Sequence, residues 1–266
     1  MRVLSALVPV ILAAGLPVGE AAGATPAAVL RELTTDRPDA TESPYTVDAG
    51  RVQLELDAAS HTRDRRGGVR TTEWAVAPFN LRYGLTPRTE LAFIVTPYVE
   101  VATRERNGTR TTARGFGPTI LRAKVNFLGN DGGETALGMI ADVKVPTAAD
   151  GLDNDQVEGA LTFPFAYGLG WGWDGAAMTS VEFVRPDAGR RVVWVNTITF
   201  ARELAPELGG FLEFTSAAGD GTHVATFNAG LTRRLGPRVQ FDCGVNIGLS
   251  RAAADLTVFA GVARKF

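Results

Sequence analysis

Thiols, imidazoles and long apolar runs are scarce in this chain. Its 266 residues include one cysteine, Cys243, and two histidines, His61 and His223. A single thiol excludes an internal disulfide framework. Neither histidine has a second histidine or a cysteine at metal-ligand spacing, so each reads as a solvated rim residue, and no metal or other cofactor is expected. No G-x-S-x-G elbow, phosphate loop or dinucleotide fingerprint appears. Ser60 and His61 are sequence neighbours and point to opposite faces of any strand. No catalytic residue is assigned, and the chain is not read as an enzyme. A surplus of charge is also missing. With 27 Lys and Arg against 29 Asp and Glu, nucleic acid is excluded as the expected partner.

Residues 1–24 are the exception to the lack of apolar runs. Arg2, the stretch "VLSALVPVILAAGLPVG" and the small residues Ala22, Gly23 and Ala24 form a basic start, an apolar core and a cleavage site, the pattern of a secretory signal peptide. Retention as an anchor is disfavoured by Pro9, Gly15 and Pro17, and by a length short of the roughly 20 residues a spanning helix needs. After residue 24 no run approaches about 18 consecutive apolar residues, so any membrane role must use strands.

Alternation is what the chain has in abundance. In "RVQLELDA" Val52, Leu54, Leu56 and Ala58 share one face and Gln53, Glu55 and Asp57 the other, since side chains alternate across a strand. The same test places Ala75, Ala77, Phe79, Leu81 and Tyr83 opposite Asn80 and Arg82, and Leu91, Phe93, Val95 and Val99 opposite Glu90 and Glu100. Near the end, Val239, Phe241, Cys243, Val245 and Ile247 oppose Gln240, Asp242 and Asn246. About 12 such runs are expected between residues 51 and 266. Tight connections such as "GLTPRTE", "GNDGGE" and "LGPR" alternate with longer, charged ones at 62–71, 102–114, 146–155 and 185–190. That is the pattern of an outer-membrane barrel, with short turns at one end and long loops at the other. Alternation alone also fits a soluble barrel with its apolar face inside. Run length favours the membrane, because the runs approach the roughly 9–11 residues of a tilted spanning strand.

Phe266 closes the chain, and counting back by twos places Arg264, Val262, Ala260, Val258 and Leu256 on its face. Outer-membrane barrels commonly end on such an aromatic, which the assembly machinery reads, so Phe266 is the expected assembly signal. Arg264 departs from the usual apolar residue there, at a cost of about 0–1 kcal/mol near an interface.

Taken together, "TDRPDATESPYTVDAGRVQLE" at 35–55, "YGLT" with "TEL" at 83–91, "GFGPTILRAKVNF" at 115–127, "DVKVPT" at 142–147, "VQFDCGVNIGLS" and the terminal Phe266 resemble the meta-pathway phenol-degradation family of outer-membrane β-barrel transporters. The first motif is specific. The resemblance implies a Gram-negative outer-membrane barrel that passes small, often aromatic or hydrophobic, molecules.

The expected fold is all-β: a transmembrane antiparallel up-and-down barrel of about 12 strands over 51–266. A polar, extended N-terminal segment, 25–50, precedes it, following the signal peptide. Face alternation assigns Glu55, Arg82, Glu100, Arg122, Lys124, Asp142, Lys144, Glu158, Glu182, Glu213 and Asp242 to the lumen. There they either select solutes, as rings of charge do in channels, or pair and fill a narrow barrel. Arg122, Lys124 and Lys144 in particular suggest a basic ladder. Asp36, Arg37, Asp39 and Glu42 are candidates for an internal plug, the alternative being a mobile tail. Phe79, Tyr83, Phe127, Phe163, Phe165, Tyr167, Trp171 and Trp173 suggest an interface girdle, with Trp171 and Trp173 alternatively lining a path for aromatic cargo. Expected partners are outer-membrane lipid and lipopolysaccharide, the barrel-assembly machinery and a small-molecule solute. Two other readings remain open: a structural or adhesive barrel with a blocked lumen, and a soluble periplasmic ligand-binding barrel.

Overall fold

Neighbouring residues on one strand decide which solvent the barrel was built for. Glu213 is 0% exposed and the next residue, Phe214, 51%. The computed structural model describes residues 30–153, 155–185 and 189–266; the expected signal peptide lies outside them. The strands are β1 (Val52–Arg66), β2 (Val69–Val76), β3 (Phe79–Thr86), β4 (Thr89–Val95), β5 (Tyr98–Arg104), β6 (Arg110–Gly115), β7 (Thr119–Leu128) and β8 (Thr135–Val145). They continue with β9 (Glu158–Gly170), β10 (Trp173–Val184), β11 (Arg191–Ala205), β12 (Leu208–Gly219), β13 (Thr222–Arg234), β14 (Val239–Gly248) and β15 (Leu256–Lys265). All pairings between them are antiparallel, and β15 pairs with β1 to close the sheet. The amide of Phe266 donates to Val52 O at 2.9 Å, so the last residue is tied into the first strand.

The fifteen segments make twelve staves. β2 and β3 are one stave broken at Ala77-Pro78, β4 and β5 one broken at Thr96-Pro97, and β6 and β7 one broken at Phe116-Gly117-Pro118. Proline has no N–H to give the ladder, so each stave is interrupted where its proline falls. The long β1 pairs with β3 through Val52–Leu56 and with β2 through Ala59–Arg66.

These breaks correct the alternation read from sequence. Ala77 adopts φ 55°, and beyond it the faces exchange. Ala75, expected outside, is buried inside, while Trp74 and Val76 stand outside. Glu100, expected in the lumen, is paired with Trp74 across the ladder and donated to by Tyr98 Oη at 3.1 Å, on the outer face. The stretches 62–71 and 102–114 are not long loops either. Their strands run on past the barrel rim to Arg66 and Arg104, and β1 turns through Gly67 and Gly68 at φ 58° and 85°. Charged residues beyond the apolar band remain free to pair backbone to backbone.

Apolar residues such as Leu81, Phe93, Leu121, Phe163, Phe214 and Phe241 are exposed around the outside, whereas Gln53, Glu55, Arg82, Lys124, Asn228 and Asp242 are buried within. A soluble barrel does the opposite, so this polarity excludes that reading. Trp171, 96% exposed in the β9–β10 turn, and Trp173, beneath Arg202 on the outer face, do not line the lumen. A second set of exposed aromatics, Trp74, Tyr98, Phe183 and Trp194, stands toward the loop end. Among the described residues no helix is long and apolar enough to cross a membrane.

Candidate functional site: the interior and its N-terminal segment

A chain without secondary structure of its own needs a partner for every amide it hides from water. Residues 31–48 run inside the barrel, and the wall supplies those partners. Glu55 accepts from Asp36 N at 3.1 Å, and Glu213 accepts from Ala40 N at 2.9 Å and Thr41 N at 2.7 Å. Asn130 accepts from Thr46 N at 2.9 Å and Glu90 from Val47 N at 2.8 Å. Carbonyls are matched too: Gln53 donates to Thr34 O at 2.8 Å and Asn126 to Pro44 O at 2.9 Å. Close approach is made possible by Gly84, where a Cβ would meet the backbone of Val47 and Asp48, and by Gly261, where it would meet the Arg37 guanidinium.

Charge pairing holds the segment at several heights. Arg82, 0% exposed, reaches Glu55 at 2.6 Å, Glu90 at 2.9 Å and Asp36 at 3.4 Å. Lys124 meets Asp36 at 2.5 Å. Arg122 is held by Asp142 through two bonds of 2.8 Å and by Glu42 at 2.7 Å. Arg37 reaches across to Asp57 at 2.6 Å and grips Asp242 with two nitrogens at 2.6 and 3.0 Å. At the turn end Asp48 joins Arg31 at 2.7 Å and Lys265 at 2.5 Å.

Of the residues assigned to the lumen, Glu55, Arg82, Arg122, Lys124, Asp142, Glu213 and Asp242 belong to this network. Lys144 and Glu158 form a separate group with Asp153, at 2.6 and 2.8 Å from Lys144. Glu182 is on the inner face, its register partner being Ala160 beside it. Glu100 alone is outside. The suggested basic ladder exists in position only, because Arg122, Lys124 and Lys144 are each neutralised by carboxylates. Glu90, Asp57, Asn228 and Lys265 also contribute, and the same period-two count marks all four as inward-facing.

The segment's own acids titrate differently. Against the desolvation that would raise it, Asp36 is held at about 2 by Arg82, Lys124 and Arg122. Asp39 is pushed up to about 7 by loss of solvent and by the Glu213 carboxylate. Burial likewise raises Glu42, outweighing Arg122.

Among the described residues, two of the interior spaces border the segment. One, of about 420 Å³, lies among Ser60, Asn80, Ile94, Asn246 and Phe259; the other, of about 480 Å³, lies toward the turn end among Asp174, Ala201, Thr232 and Gln240. Arg37, Pro38 and Asp39 border both. Among the described residues no group of three His, Cys, Asp or Glu suits a metal ion. His61 stacks on Trp74 at 4.3 Å. His223 Nε2 lies 3.0 Å from Ser216 Oγ, on an exposed face, and among the described residues no side chain holds its other nitrogen.

The family model described as "Putative MetA-pathway of phenol degradation" matches residues 35–266. The chain belongs to that family. The match begins within the interior segment, so segment and barrel fall inside one family unit. The fold is similar to the COG4313 outer membrane channel from Pseudomonas putida F1, at TM-score 0.63 and 15% identity, covering 84% of this chain and 97% of that one. It is also similar to the β domain of the Bordetella autotransporter BrkA (TM-score 0.53, 12% identity, 82% and 100% covered) and to the NanC porin (TM-score 0.52, 8% identity, 79% and 100% covered). At these identities the likeness shows the fold. No curated protein matches the chain in sequence.

Proposed function

We propose that the protein is an outer-membrane channel for small molecules, with residues 34–44 as an internal plug that sets what passes. The observation that carries this reading is the docked segment: its amides, carbonyls and charges are matched by side chains from β1, β3, β7, β12 and β14. A mobile tail has no need of such a wall. The two spaces it leaves, bordered by Pro38, Ile94 and Phe259 as well as by charge, suit single-ring solutes. The family's tie to phenol degradation makes phenols the first solutes to try. Passage is down a gradient, without cofactor or covalent step. Export by residues 1–24 and recognition of Phe266 by the assembly machinery complete the reading; truncating Phe266 is expected to lower the yield of membrane-inserted barrel.

The test is reconstitution in planar bilayers and liposomes. The natural chain is expected to show low conductance and measurable phenol flux, and deletion of 34–44 to raise ion conductance in a barrel that still migrates as folded. No conductance and no flux from either folded form would refute the channel. The dense charge pairing of Arg82, Arg122, Lys124 and Arg37 favours a second reading, a structural barrel with a sealed lumen. Conductance from the deletion variant, with none and no phenol flux from the natural chain, would establish it.

A further inference from the structure

At the loop end the outer face carries a row of like charges. Arg65 is the ladder partner of Arg70, Arg70 of Arg104, and Arg104 of Arg110, across β1, β2, β5 and β6. Directly paired residues share a face and lie about 4.5–5.5 Å apart, a spacing at which like charges destabilise a sheet. All four are exposed, and among the described residues none makes an ion pair. Arg63 and Arg114 stand on the same face in the next rows. The acids of β1 and β2, Asp64 and Glu73, stand on the opposite face, and Asp64 is taken by Arg66 at 2.6 Å. A cleft of about 340 Å³ opens among Arg70, Arg104, Arg110, Thr72 and Gly108.

Position names the partner. Two residues nearer the membrane on this face come Thr72 and Ala102, then Trp74 opposite Glu100, which also faces Arg114, then Val76 opposite Tyr98, and beyond the proline breaks the exposed Leu81 and Phe93. The guanidinium row thus stands just past an aromatic belt, where headgroups begin. Guanidinium is the side chain whose planar fork matches phosphate oxygens two at a time. We propose that this face binds the phosphorylated sugar headgroup of an outer-leaflet glycolipid, its phosphates on the arginine row and its acyl chains along the apolar wall below. The site rests on the membrane-spanning reading and is independent of passage through the lumen.

The test titrates the full chain in detergent with mixed micelles of doubly phosphorylated lipid A, and with the same lipid stripped of phosphate, read by native mass spectrometry. Each basic residue at a membrane surface contributes enough that replacing all four (R65Q/R70Q/R104Q/R110Q) is expected to weaken lipid A binding at least about tenfold. Dephosphorylation is expected to do the same to the natural protein, while Arg66→Gln, on the inner face, leaves binding unchanged. Equal binding of the stripped lipid, or unchanged binding by the fourfold variant, would overturn the proposal. If the fourfold variant does not yield a folded barrel, Arg104→Gln alone decides: a several-fold loss supports the site, and natural affinity overturns it.

Discussion

Inside the barrel Arg82 has three carboxylates within 3.4 Å; outside, at the loop end, Arg104 has an arginine on either side. Both residues sit on strands of one sheet in a protein whose basic and acidic side chains nearly balance. Most of the interior charges find counter-charges within the chain, because a polar segment without secondary structure had to be held where water is excluded. The outer arginines have no ion pair among the described residues, and the proposed lipid headgroup is what would supply their counter-charge. Net charge conceals this difference, and only the face on which each side chain stands reveals it.

Substitution should separate the two regions most sharply. Arg82→Met leaves Asp36, Glu55 and Glu90 facing one another in the interior, and removing one partner of a buried ionic group costs about 3–5 kcal/mol. We expect a loss of that size in barrel stability, measured by denaturant unfolding, together with protease access to residues 31–48. Arg37→Gln is expected to cost less, about 1.5–3 kcal/mol for hydrogen bonds to charged groups, and to raise conductance as the segment loosens from Asp57 and Asp242. Arg104→Met, in the outer row, should change stability by no more than about 0.5 kcal/mol, and toward greater stability, since it relieves like-charge neighbours. A loss comparable to that of Arg82→Met would erase the contrast.

Acidity sharpens the same comparison. Asp39, raised to about 7 beside Glu213, binds its proton more tightly in the docked segment than free in water. Docking is therefore favoured below its ordinary carboxylate pKa and loses that contribution as pH rises through about 7. Asp36, held at about 2, has the opposite sign, and its contribution is lost only as pH falls toward that value. Conductance should consequently be lower at pH 5 than at pH 8, and Asp39→Asn should flatten the profile. A natural profile already flat over that range would remove Asp39 from the account.

Much of this was legible in the chain itself. Period-two alternation is local, so it set Glu55, Arg82, Arg122, Lys124, Glu213 and Asp242 on the face opposite the apolar one, gave about twelve runs, and put the apolar face of β14 and β15 outward. It failed at Ala75 and Glu100, where Ala77 and the nearby prolines exchange the faces of two adjacent staves; a count by twos carries no record of such a break. The strands through Arg63–Arg66 and Arg104 were hidden because charge density resembles a loop until neighbouring strands pair with it. Placing Asp36 against Lys124, or Thr41 against Glu213, depends on contacts between residues 88 and 172 positions apart, which no local pattern encodes.

If the docked segment controls passage, fixing it to the wall must fix the current. Thr41 Oγ1 lies 2.6 Å from Thr197 Oγ1 on β11, so Thr41→Cys with Thr197→Cys, in a chain whose outward Cys243 is changed to serine, tethers the segment to the wall. Single-channel recording of this variant, oxidised and then reduced in the same bilayer, is the most direct test. Current is expected to stay low while the disulfide holds, and to rise or begin to fluctuate when it is reduced at pH 8. The same current before and after reduction, equal also to that of the 34–44 deletion, would contradict control of passage by the docked segment.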